Sequence, residues 1–177
     1  MKKICLITII LAFSLKVSAT QILIPMDNTQ KNCLKAYGIA YWVLEHNLDI
    51  EWLLNYRGGS FLVKHVKAIE DELIIRGVSF EIIADVKAQA ILAEIADPEV
   101  NMEMVKLEKA PKIAVYSPKN KQPWDDAVTL VLTYAEIPYT IVYDEEIIKG
   151  DLPKYDWLHL HHEDFTGQYG KFWAHYR

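Results

Sequence analysis

Blocks of apolar and polar positions outline most of this chain's elements. Ile22, Leu23 and Ile24 form a short apolar run closed by Pro25, and Asp27-Asn28-Thr29 follow with the chemistry that starts turns and caps helices. Over 31–47, Leu34, Tyr37, Tyr41 and Leu44 recur at helical spacing. Ile39, Ala40, Trp42 and Val43 fill much of the remainder, which predicts a helix covered on more than one side. The apolar stretch 50–56 predicts a buried strand, Arg57-Gly58-Gly59-Ser60 a tight loop, and 63–76 a second helix capped by Gly77. A strand is predicted over 78–84 and a third helix over 86–96, stopped near Asp97-Pro98 because proline disfavours helical geometry in the residue before it.

Residues 99–111 are charged and weakly patterned, and read as a linker between two α/β halves, 20–98 and 112–177. In the second half, 112–116 predicts a strand, Pro123 with Asp125 and Asp126 opens a helix that closes at Ile137-Pro138, and strands follow over 139–143 and 155–161. Alternation of strands and helices points to crossover connections. The expected fold is therefore α/β with a doubly wound, mostly parallel sheet of the flavodoxin-like or amidotransferase-like kind. The two halves repeat the same order of elements, which a shared packing solution explains without duplication. At the end, Phe165, Tyr169, Phe172, Trp173 and Tyr176 keep near-helical spacing without a terminal cap, so the second half is expected to be incomplete at its C-terminus.

The first 19 residues change the picture of where the chain works. Lys2 and Lys3 precede an apolar stretch over 4–15, and Val17-Ser18-Ala19 supplies small residues for cleavage, so 1–19 reads as a signal peptide and Thr20 as the first mature residue. The apolar run is shorter than the ~20 residues a bilayer demands, so no transmembrane segment is expected in the mature chain. Loss of Lys2, Lys3 and Lys16 with the leader moves the formal net charge from -5 to -8. An acidic exported chain is a poor nucleic-acid binder, because phosphate affinity comes from Lys and Arg. Cys33 is the one cysteine left after cleavage, which excludes an intramolecular disulfide or a cysteine-rich zinc site; its apolar helical context predicts a buried, inert thiol.

Candidate chemistry lies in the loops after the predicted strands, over 27–30, 56–61, 117–124 and 161–168. Arg57, Gly58, Gly59 and Ser60 combine a guanidinium with glycines that admit close backbone approach, and suit a small anionic ligand. His159, His161, His162, Glu163 and Asp164 form the densest titratable cluster. His161, His162, Glu163 and Asp164 are candidates for acid/base work, and His159 and His161, on one face of a strand, for metal ligation. A single ligand site shared by the Arg57 and 161–164 loops is expected if their strands are near neighbours. No nucleophile elbow, Rossmann glycine fingerprint or C-x-x-C is present, and the sequence leaves any cofactor unknown.

The strings LKAYGIAYWVLE, LLNYRGGSF, KIAVYSPK, PWDDAVTL and DWLHLHHEDFTGQYGKF resemble a family of longer exported bacterial proteins often labelled asparagine synthetase B. The stretch from KIAVYSPK to LHLHHED also resembles the opening strands of class I glutamine amidotransferase-like domains. The resemblance covers nearly the whole mature chain. A glutamine-dependent synthetase carries an N-terminal cysteine nucleophile and an S-G-G-x-D-S loop. This chain has neither, so no catalytic residue is carried over. The resulting expectation is an exported protein that binds a ligand or associates with the envelope. The alternatives are an amidotransferase-like or metal-assisted hydrolase, and the synthetase activity of the family label.

Overall fold

The computed structural model describes residues 20–117, 127–160 and 174–175. The expected leader, residues 118–126 with the expected helix start at Pro123, Asp125 and Asp126, the 161–164 cluster and most of the aromatic C-terminal stretch lie outside the described residues. In chain order the elements are β1 (Thr20–Ile24), α1 (Cys33–Glu45), β2 (Ile50–Leu54), β3 (Ser60–Lys64), α2 (Lys67–Ile75), β4 (Glu81–Ala84), α3 (Asp85–Ile95) and β5 (Glu103–Leu107). They continue with β6 (Ile113–Tyr116), α4 (Ala127–Ala135), β7 (Tyr139–Val142), α5 (Asp144–Ile148) and β8 (Trp157–Leu160). Short 3-10 turns span Tyr56–Gly58 and Leu152–Lys154.

These strands form two sheets and correct the expected doubly wound, mostly parallel fold. The first is a five-stranded sheet in the order β4-β1-β3-β2-β5, and every pairing within it is antiparallel. The second is a small parallel sheet in the order β7-β6-β8. The difference starts at residues 60–64. The sequence predicts Ser60 in a loop and Val63 and Lys64 in a helix, but Ser-Phe-Leu-Val-Lys is β3, joined to β2 by five residues; a parallel pairing would need a crossover of a dozen or more. The helix begins only at Lys67. The weakly patterned stretch 99–111 contains β5, an edge strand whose Glu103 and Lys106 sit among half-exposed apolar residues. An edge strand packs on one side only, which is why its apolar pattern is faint.

Alternation along the strands divides the first sheet's side chains between two helical layers. Ile22, Ile24, Ile50, Phe61 and Val63 face α1 and α2, where Ala36, Ile39, Val43, Ile69 and Leu73 are buried. Leu23, Leu53, Leu62 and Ile83 face the opposite way, against Ala88, Ile91 and Ile95 of α3. In the small sheet, Ile113 and Val115 pack on Leu132 of α4, while Ala114, Tyr116 and Val142 pack with Ile147 of α5.

Helix α1 packs on both structures, as its broad apolar surface requires. A Cβ on Gly38 would lie 1.8 Å from the carbonyl oxygen of Ala135, so only glycine lets α1 and α4 approach this closely. Tyr41 donates to the carbonyl of Pro111 at 2.7 Å, and the Lys35 ammonium pairs with Glu136. The buried stripe is not the one its spacing suggested: Leu34 and Tyr37 are exposed and Ala36, Ile39, Ala40 and Val43 are buried. Cys33 is exposed, not buried, because it is the first residue of α1, directly after the Asn32 cap whose side chain accepts from the Lys35 amide. No described helix is long and apolar enough to cross a membrane.

Candidate functional site

The β2–β3 connection is built from backbone that few residues adopt. Asn55, Arg57, Gly58 and Gly59 all have positive φ, at 61°, 46°, 82° and 94°. A Cβ on Gly58 would stand 2.5 Å from the Met26 carbonyl oxygen, and the Met26 amide donates to the Arg57 carbonyl at 3.1 Å, so the hairpin is seated on the segment after β1. That seating aims the Arg57 guanidinium at two carboxylates. Nε donates to Asp27 Oδ2 at 2.7 Å, Nη1 to Glu81 Oε1 at 2.6 Å, and Nη2 to Thr29 Oγ1 at 3.3 Å.

The electrostatics follow from these contacts. Hydrogen bonds from Arg57 and then from Thr29 hold the Asp27 carboxyl down to about 2. Those from Arg57 lower Glu81 as well, and the two acids raise Arg57 in return. Ser60 donates to the carbonyls of Tyr56 and Arg57, at 3.0 and 3.3 Å, and the Gly59 carbonyl accepts from Trp52 Nε1 at 3.1 Å. The residues expected to receive an anion therefore bond one another and their neighbours. An incoming anion would have to displace Asp27 and Glu81 from the guanidinium.

Of the histidine cluster, only His159 lies among the described residues. It is half-buried on β8, in register with Val115, with its ring 6.4 Å from that of Trp157. His161, His162, Glu163 and Asp164 lie outside the described residues, as does any site they would share with Arg57. Among the described residues no three His, Cys, Asp or Glu side chains converge as a metal site.

Sequence reading missed the polar end of the same sheet. Helix α3 covers Leu23, Leu53, Leu62 and Ile83, and beyond it the sheet's α3-side positions turn polar. Register brings Gln21 opposite Lys64 and Glu51 opposite Lys106. A cavity of about 440 Å³ opens there, lined by Thr20, Gln21, Asp49, Glu51, Lys64, Asp85 and Lys106. Lys106 is held by Asp49 at 2.8 Å and Glu108 at 2.7 Å. Glu51 makes no hydrogen bond or ion pair among the described residues, and burial pushes its carboxyl up against the opposing pull of the Lys106 charge.

Thr20 also takes part in a second arrangement, on the α2 side of the strand end. Thr20 Oγ1 is 2.9 Å from His65 Nδ1, and His65 Nε2 is 2.9 Å from Glu70 Oε2. The His65 amide donates to the Thr20 carbonyl at 3.0 Å, so backbone pairing of β1 with β3 sets the spacing of the two side chains. The sequence signal was the polar alternation of Gln21, Glu51 and Lys64. It is readable only once 60–64 is recognised as a strand, which also moves His65 from a helix to a strand end.

No family model, curated protein or solved structure matches the chain.

Proposed function

We propose that this is an exported protein that binds a small ligand carrying both an amine and a carboxylate, an amino acid or short peptide, in the cavity at the polar end of the five-stranded sheet. The observation that carries the reading is Glu51, a partly desolvated carboxylate whose side chain makes no hydrogen bond or ion pair among the described residues and feels the Lys106 charge only through space. A ligand ammonium supplies a direct hydrogen-bonded counter-charge, which Lys106, held by Asp49 and Glu108, exerts only through space, and Lys64 on the same face supplies a cation for the carboxylate. Export through cleavage after Ala19 places the cavity where such solutes meet the envelope, and N-terminal sequencing of exported material is expected to begin at Thr20.

Calorimetry with a panel of free amino acids and dipeptides tests the binding. At least one is expected to bind, and Glu51→Gln is expected to weaken it about tenfold or more. A panel with no binder, or a Glu51→Gln protein that binds like the parent, removes the reading. Amidotransferase-like chemistry in the second half is the alternative, favoured by the parallel order β7-β6-β8. Release of ammonia from glutamine, lost on His162→Ala, is its expected signature.

A further inference from the structure

We infer that Thr20 is an acyl-accepting nucleophile, activated by His65 and positioned through Glu70, acting on an ester or amide. Three side chains from β1, the end of β3 and α2 stand in line as hydroxyl, imidazole and carboxylate, each neighbouring pair 2.9 Å apart. With Nε2–H donating to the Glu70 carboxylate, the neutral imidazole keeps a lone pair on Nδ1. That nitrogen then accepts from the Thr20 hydroxyl, as a general base requires. Glu70 is tied to His65 and holds the ring in this tautomer, so it is a positioning residue.

Chain order strengthens the assignment. The cleavage expected after Ala19 would leave Thr20 as the first residue, with no preceding peptide to crowd the hydroxyl and with a free amine one carbon away. Thr20 ends the strand at the rim of the cavity that Gln21, Glu51 and Lys64 line, with its hydroxyl turned to His65 on the α2 side of that rim. The substrate class, an acyl derivative of an amino acid or a short peptide, rests on the ligand reading of that cavity; the nucleophile does not.

The reaction balances without a cofactor. Thr20 Oγ1 adds to the carbonyl carbon while its proton passes to His65 Nδ1. Collapse of the tetrahedral adduct breaks the bond to the amine or alcohol, which leaves with that proton, and a threonyl ester remains. Water then adds to the ester, giving a proton to the same nitrogen. The acid departs and the hydroxyl is restored.

An alkyne-bearing β-lactone, applied to the purified protein and followed by intact mass and peptide mapping, tests the inference directly. One adduct is expected, on Thr20. Thr20→Ser retains it, Thr20→Val abolishes it, and His65→Gln slows it about 100-fold or more. Glu70→Gln is expected to slow acylation while leaving reversible amino-acid binding unchanged, a split that a purely structural role would not produce. Circular dichroism confirms that each variant is folded. No adduct on Thr20 in the folded parent, or labelling of Thr20→Val or His65→Gln at the parental rate, overturns the assignment. Calorimetry on the parent reports the cavity separately: amino-acid binding without labelling of Thr20 overturns the nucleophile alone, and labelling without binding overturns the cavity reading alone.

Discussion

The five-stranded sheet ends differently at its two poles. Beyond Ile24 and before Ser60, Arg57 is gripped by Asp27, Glu81 and Thr29, and with Lys87 3.5 Å from Glu81 two cations meet two carboxylates within the protein. At the opposite end, beyond Lys64 and before Gln21, the Thr20 hydroxyl faces an imidazole, and the Glu51 side chain makes no hydrogen bond or ion pair among the described residues. Both poles draw on the same pairing of β1 with β3. Charge satisfied by charge fastens a loop, whereas the Thr20 hydroxyl meets only an imidazole ring. The contrast assigns stability to the Arg57 pole and chemistry to the Thr20 pole.

Breaking the Arg57 pole should cost most. Gly58→Ala combines a left-handed backbone with a Cβ driven into the Met26 carbonyl, and is expected to lower unfolding free energy by about 2–4 kcal/mol, read as a urea midpoint shift at constant slope. Arg57→Ala removes the cation that Asp27 and Glu81 share, leaving only Lys87 beside Glu81, and should cost about 1–3 kcal/mol, discounted for partial exposure. Arg57→Gly should recover about 1 kcal/mol of that loss, since the native φ of Arg57 is positive.

Acid sharpens the same pole more gently. Asp27 is lowered from 3.8 to about 2 in the folded chain. Its contribution is therefore complete above the unfolded value and fades as pH falls through the folded one. Glu81 is lowered too and acts in the same direction. Urea midpoints followed from pH 6 to pH 2 should decline most steeply in the lower part of that range, and Asp27→Asn should flatten the decline. The smallest stability effect belongs to the other pole: Thr20→Val should change unfolding free energy by no more than about 1 kcal/mol, although lactone labelling disappears. A large loss of stability there would erase the distinction between the poles.

The sequence by itself determined where most elements lie, though not which stripe of α1 is buried. Ile22 to Ile24, the α1 apolar surface, the stop at Asp97-Pro98 and the 113–116 strand are local patterns, and local patterns persist whatever the topology. Strand direction was not local. A run such as Ser60–Lys64 reads equally as a strand or as the approach to a helix, and only pairing with β1 and β2 makes it the centre of an antiparallel sheet. The edge strand β5 carries almost no periodic signal, because its one packed neighbour supplies what a pattern would otherwise announce. The same holds for the chemistry. Arg57 was visible as a cation in a glycine loop, but that its charge is already met by Asp27 and Glu81, 30 and 24 residues away, is a property of the assembled sheet. Thr20 and His65, 45 residues apart, become neighbours only through antiparallel pairing, since side-chain chemistry is written in the sequence but distance is set by the fold.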